Sequence, residues 1–395
     1  MTKNTGTELR TTKDYLMDAW DSFMNDLSDA REWIDGTHPS IPQSDDRGVA
    51  EGYRYLAGFV HHAVERAFHE NPNQPEFRNA LSVFNKATID NPDAIYFYAP
   101  IDGNHYYKID SCPANIGAHG NDSKEPRYII FEVTNGTLAG DSGQLLELAP
   151  GAKQGFGVLD SSTIKKNTDG TFEILLGPNK PSDYSGNFIC TKKSLINDQG
   201  ESLEYSATYV SGRQLFYDWS LEEPIRLNIQ PLDKDQKNCT PFSPIDADRC
   251  LRRAGSIVKG QMSFWLQFYD VVLNANERHE SSHSENRYFM PVNSYNEPNA
   301  ASSDTGGGMS TNIYAGAIFE LKADEALLVE ASVFVEPLYF GIHLGNQWGE
   351  SPDYASHHSS LNGHQTFVGE DGIQRWVISH TDPCIQNWID TTGLK

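Results

Sequence analysis

From about residue 81 the chain breaks into short β-branched and aromatic runs bounded by turn residues, a pattern that leaves few fold classes available. Such runs stand at 95–99, 106–110, 128–133, 171–176, 207–210 and 225–229. Asp102-Gly103, Asn135-Gly136 and Asp169-Gly170 sit beside them as turn signals. β-branched and aromatic side chains fit a pleated, half-buried surface. Regular spacing of short strands predicts an antiparallel sandwich or barrel. Similar runs return at 315–321, 326–336 and 339–344. A hairpin pattern then centres on Asp371-Gly372, with apolar residues alternating on both sides over 365–379.

Helical periodicity is confined to three other places. Leu16, Trp20, Phe23, Leu27, Ala30 and Ile34 recur at steps of three and four, which is an amphipathic helix that Pro39 and Pro42 end. A second helix spans about 49–69, capped by Asp45 or Asp46 and stopped by Asn71-Pro72. His61 and His62 ride on it as adjacent positions that cannot both face one ligand, so they read as surface or packing residues. A third helix is expected over 246–274, followed by a polar, Gly-rich loop over 275–312 that includes Gly306, Gly307 and Gly308. The organisation expected is a helical segment (1–80), a first β domain (81–230), a connector helix and long loop (231–312), and a second β domain (313–395). The fold class is mainly β with α.

Charge narrows the partners. A formal net charge of -23 over 395 residues argues against nucleic acid and anionic membrane surfaces, which are polyanions. The start of the chain has no apolar core of the about 7–15 residues that a secretory signal needs. No run approaches the roughly 18 apolar residues of a membrane span. The five cysteines are odd in number, widely spaced and without a Cys-x-x-Cys pair, so neither a disulfide framework nor a zinc knuckle is expected. The expectation is a soluble, cytoplasmic protein. Homodimer formation stays open.

The chemistry-bearing residues gather near the end of the chain: Asn362, His364, Gln365, then His380, Asp382, Asn387, Trp388 and Asp390. A His-x-Asp step on a strand puts both side chains on one face, so His380 and Asp382 qualify as an oriented imidazole–carboxylate pair, the arrangement of a general base. In the alternative, Asp382 caps a turn and His380 bonds to backbone. A two-residue turn at Asp371-Gly372 pairs residues whose numbers sum to 743, placing Gly363 opposite His380 and putting Gln365, His380 and Asp382 on one side. His364, His380, Asp382 and Asp390 also contain the donor types of a divalent metal site, which stays open beside metal-free chemistry. His357 and His358, in a loop beside Tyr354, are either a pocket gate or exposed loop residues. Asn91, Asp93 and Tyr96 precede a strand, where they either fix a turn or face a ligand. Five of the seven tryptophans (219, 265, 348, 376, 388) are first of all core, and Trp388 is the one placed at a pocket wall.

Two blocks carry a resemblance. Asn91-Pro92-Asp93 with Tyr96, followed by Pro100-Ile101-Asp102 and Tyr107-Lys108-Ile109, is similar to a block of a bacterial family related to the DUF1254/DUF1214 proteins. Ser360-Leu361-Asn362 with Gln365, then His380, Asp382-Pro383 and Asn387-Trp388-Ile389-Asp390, resembles that family's C-terminal motif. The resemblance implies β-barrel and jelly-roll-like domains with helices packed around them, and it assigns no chemistry.

Signatures of serine nucleophiles, dinucleotide folds, EF-hands and His-Glu-x-x-His metal sites are absent from the sequence, so no nucleotide cofactor is expected. Two functions remain. One is an enzyme of lyase or hydrolase type acting on a hydrophobic or aromatic small molecule through His380 and Asp382. The other is a non-catalytic binding or assembly protein whose C-terminal motif is structural.

Overall fold

The structure, a computed structural model, describes residues 11–35, 45–112, 124–136, 143–148, 154–196, 199–233, 241–279, 290–296 and 311–394. Helix α1 (Thr12–Glu32) opens on a capping box. The Thr11 hydroxyl accepts the Asp14 N–H, and the Asp14 carboxylate accepts that of Thr11. Helix α2 (Asp46–His69) is capped by Asp45, whose carboxylate accepts the Gly48 N–H at 2.8 Å. Helix α3 (Pro244–His279) starts two residues before the sequence expectation, because Ser243 and Asp246 form its cap and Pro244 takes the first turn, where its missing N–H costs nothing. It also continues five residues beyond the expected end, into the start of the expected loop. Most of that loop, including Gly306, Gly307 and Gly308, lies outside the described residues.

The first β region contains β1 (Arg78–Asn79), β2 (Ala94–Pro100), β3 (Tyr107–Cys112), β4 (Tyr128–Thr134), β5 (Gly155–Asp160), β6 (Glu173–Gly177), β7 (Asn187–Cys190), β8 (Lys192–Ile196), β9 (Ser202–Ser206), β10 (Tyr209–Leu215) and β11 (Arg226–Pro231). One sheet runs β1-β2-β10-β4-β5 and the other β11-β3-β6-β7, with β8-β9 as a separate ribbon. Phe97, Ile129, Phe131 and Val210 from the first sheet share one core with Tyr107, Ile109, Ile174, Leu176 and Ile229 from the second, which makes a sandwich. Strand β3 alternates buried Tyr107, Ile109 and Ser111 with half-buried Lys108 and Asp110. Among the described residues no sheet closes, so the barrel alternative does not hold. Pairing between the named strands is antiparallel except for β6 with β7 and one pair near the C-terminus.

The other face of the five-stranded sheet carries Tyr98 and Tyr209 toward the helices. Arg66 of α2, itself 3% exposed, donates to the Tyr209 hydroxyl at 2.8 Å and to Glu70 at 2.8 Å. Arg253 of α3 also reaches Glu70. Burial alone would raise the Glu70 pKa, but the two guanidiniums more than offset it and hold the carboxyl below its usual range. This ionic cluster joins α2 and α3 to the sandwich.

The C-terminal region holds β12 (Ala326–Ser332), β13 (Gly341–His343), β14 (Ser360–Asn362), β15 (Ile373–Ser379) and β16 (Trp388–Asp390). They form a three-stranded β12-β15-β16 sheet and a two-stranded β13-β14 ribbon, not the eight strands of a jelly roll; β15 and β16 run parallel. Much of the segment between β13 and β15 is irregular chain held by its own Asn and Asp side chains. Within it, residues 346–351 plug into the helices. Trp348 is buried in the helical core, and its indole N–H donates to the Gly48 carbonyl at 2.7 Å. Gly52 faces that indole so closely that a Cβ there would sit 2.6 Å from its Cζ2. No helix among the described residues is long and apolar enough to cross a membrane.

Candidate binding groove

The expected hairpin is much shorter than its alternation implied. Gly372 has φ +77°, its N–H bonds to the Gly369 carbonyl, and Gly369 N–H bonds to Ile373 O. That is a three-residue loop with a left-handed glycine at its end, and its strands meet in a single bridge, Val368 with Gln374. Further out, β15 pairs with β12 and β14 pairs with β13. Gly363 therefore does not face His380, and the shared side expected for Gln365, His380 and Asp382 does not form. The reason is local. Asn362 turns the chain by accepting the His364 and Gln365 N–H groups on its side-chain oxygen, and Thr366 N–H bonds to its carbonyl. Asn387 then captures the Phe367 backbone from both sides, at 2.8 and 2.7 Å.

What the C-terminal motif does make is an interlock with the first β region. Asn362 is fully buried, and its amide donates to the Asp93 carboxylate at 3.2 Å and to the Tyr217 carbonyl at 3.1 Å. The same carboxylate accepts the Trp219 indole N–H at 2.9 Å and the Tyr339 hydroxyl at 3.1 Å. Three donors from three segments compensate the burial of this charge. Asn91 bonds Tyr339 and donates its backbone N–H to the Tyr96 hydroxyl at 2.8 Å. Tyr96 lies under the Arg213 guanidinium, 5.0 Å from the ring centre, and burial pushes its phenol pKa up.

Beside this interlock runs an open groove of about 1450 Å³. Of the residues singled out in the sequence, Asn91, Asp93, Tyr96, Trp219, Tyr354, His357, His358, Gln365, Asp382, Asn387 and Trp388 line it. His380, Asn362, His364 and Asp390 stand outside its lining. His364 points toward Asp218, 3.7 Å away. His380 has both ring nitrogens engaged: Nδ1 lies 2.8 Å from the Thr391 hydroxyl and Nε2 lies 3.2 Å from the Leu321 carbonyl. Because a carbonyl only accepts, Nε2 carries the proton and Nδ1 accepts from Thr391. Asp382 caps a turn by accepting the Cys384 N–H at 2.7 Å. The imidazole–carboxylate pair expected of His380 and Asp382 is thus replaced by two separate local bonds. His380→Ala should cost about 2–3 kcal/mol in a urea titration, since it strands a buried hydroxyl and a carbonyl.

Sequence reading undervalued three groove residues. Trp219 is 44% exposed, yet it stacks on Phe216 with ring centres 4.1 Å apart. Tyr354 is 36% exposed and carries the Lys86 ammonium 4.4 Å from its ring centre. His357 donates from Nδ1 to Asp390 at 2.7 Å. No local spacing announces that last contact, because its partner is 33 residues away in sequence and reaches it only through β16. Backbone strain also collects at the groove. Thr88 (φ 63°) and Ile89 (φ 57°) are consecutive β-branched residues in the left-handed region, next to Asp90 of the wall, and Asn387 has φ 59°. The Thr88–Ile89 bend is held from outside: Ile89 N–H bonds to Gly349 O at 2.7 Å, and Ser351 bonds the Asp90 carboxylate through both its N–H and its hydroxyl. Among the described residues, no group of three or more His, Cys, Asp or Glu side chains is placed to hold a metal ion.

This architecture recurs in a solved structure. An uncharacterized protein from Burkholderia cenocepacia superposes with a TM-score of 0.75 at 25% identity, over 97% of this chain and 92% of that one. A protein from Vibrio parahaemolyticus aligns over 85% of this chain and 90% of its own at 11% identity, with a TM-score of 0.37. No family model matches the chain, and no curated protein does.

Proposed function

We propose that this protein binds a hydrophobic or aromatic, ring-bearing small molecule in the groove between the sandwich and the C-terminal region. The observation that carries the reading is Trp219, a large ring left 44% exposed on the groove wall although its indole N–H is fixed by Asp93 and its face by Phe216. An aromatic side chain locked in place but uncovered is preorganised for stacking, so little side-chain entropy is lost when a ring arrives. Tyr354 and Trp388 supply further aromatic surface, and Gln365, Asn387 and Asp382 supply polar groups to orient a ligand.

In this reading the two motif blocks that resemble the DUF1254/DUF1214 relatives act as one device. Asp93 and Asn362 clamp the two β regions together, and His380 braces the β15–β16 end. This favours the structural reading of the C-terminal motif and leaves any chemistry to the groove itself.

Nile red, a neutral ring dye, tests the proposal. Its fluorescence should rise on binding, and Trp219→Ala should weaken that binding about tenfold, or ~1.4 kcal/mol. Unchanged affinity in a variant shown by circular dichroism to be folded would place the dye elsewhere and contradict the proposal.

A further inference from the structure

We propose that His357 and Asp390 form a proton-accepting dyad that the groove presents to the acidic hydroxyl of a bound ring, as in a phenol. The inference rests on the groove being the binding site proposed above, and it adds the chemical class of the ligand.

The geometry is that of an oriented base. An ionised Asp390 carboxylate can only accept, so its 2.7 Å contact fixes a proton on His357 Nδ1, which in the neutral imidazole leaves the lone pair on Nε2. Asp390 is itself held. Its other oxygen accepts the Thr392 N–H at 2.7 Å, and its backbone N–H donates to His358 O at 2.9 Å. His357 is anchored through its own N–H to the Asp353 carbonyl. Both partners therefore sit on tied backbone, His357 is one of the groove-lining residues with its side chain 44% exposed, and the Asp390 carboxylate is 15% exposed. His380, by contrast, spends both nitrogens on Thr391 and Leu321.

The charge of the chain selects the form in which the ligand arrives. At a net charge of -23 an anionic ring is repelled at long range, whereas a neutral phenol is not. Once the ring is stacked, the ligand O–H bond breaks and the Nε2–H bond forms. The electron pair stays on the ligand oxygen, and the new imidazolium lies between that oxygen and Asp390. No other reactant is required.

The probe is 4-nitrophenol, whose ionised form absorbs at longer wavelength than the neutral one. At a pH about one unit below the probe's own pKa, only about a tenth of the free probe is ionised. Binding to the wild-type protein should raise the ionised fraction of the bound probe about fivefold. His357→Gln should remove that rise, and Asp390→Asn should reduce it, while both still quench tryptophan fluorescence with the probe. Binding without ionisation, or a rise that survives in both variants, would overturn the dyad and leave the groove reading standing. If Nile red binds and 4-nitrophenol does not, the dyad proposal falls alone; if neither binds, the groove reading falls with it.

Discussion

Asn362→Asp, a change on the scale of a single atom, should cost about 3–5 kcal/mol and leave little folded protein at neutral pH. The side chain is fully buried, and the substitution exchanges an amide that donates to Asp93 and to Tyr217 O for an oxygen that donates to neither. Two carboxylates would then face each other across one buried hydrogen bond. The sign of the pH dependence follows from the new group. Burial and its like-charged neighbour raise its pKa, so the deficit is full above that raised value. As pH falls through it, the protonated carboxyl regains a donor for Asp93 and the deficit shrinks. Urea titrations of wild type and variant at neutral and mildly acidic pH measure both effects. A cost below about 1 kcal/mol, typical of a surface substitution, would mean that the two β regions do not depend on this clamp.

Trp348→Ala should cost a similar amount, about 3–5 kcal/mol. The ring is 1% exposed, stacks against Tyr55 with centres 6.1 Å apart, and donates to the Gly48 carbonyl. Its loss opens a cavity between α2 and α3 and removes the indole hydrogen bond to the Gly48 carbonyl near the start of α2. It also frees the segment that holds the strained Thr88–Ile89 bend, because Gly349, Glu350 and Ser351 follow directly in sequence. Nile red affinity should therefore fall in this variant even in its folded fraction. A melt shifted without loss of affinity would separate the helical plug from the groove wall.

These two residues also mark where sequence reading succeeds and where it stops. Periodicity located α1 and α2, and composition located most strands of the sandwich, because burial on a pleat or a helix face leaves a repeating signature. Asp45 was legible as a cap for the same local reason. The register of the C-terminal region was not legible. Alternation around Asp371-Gly372 predicts a long hairpin only if backbone groups pair with backbone groups. Here Asn362 and Asn387 take those groups with their side chains, and β15 finds β12 and β16 instead. Asp93, Gln365, Asn387 and Trp388 were recognisable as unusual residues for a β segment, yet their partners lie far away in sequence. Asp93 and Asn362 are 269 residues apart, a distance over which no pattern of spacing carries information. His357 was legible only as a pocket gate or an exposed loop residue for the same reason, since its pairing with Asp390 spans 33 residues.

The division of labour between the two histidines is tested most directly by running His380→Ala and His357→Gln through the same pair of assays, a urea titration and 4-nitrophenol binding with its ionisation read by absorbance. His380→Ala should lose stability and keep both binding and ionisation in its folded fraction. His357→Gln should keep its stability within about 0.5 kcal/mol, as an exposed side chain does, and lose the ionisation. The opposite ordering, with ionisation lost in His380→Ala and stability lost in His357→Gln, would return the chemistry to His380 and contradict the groove.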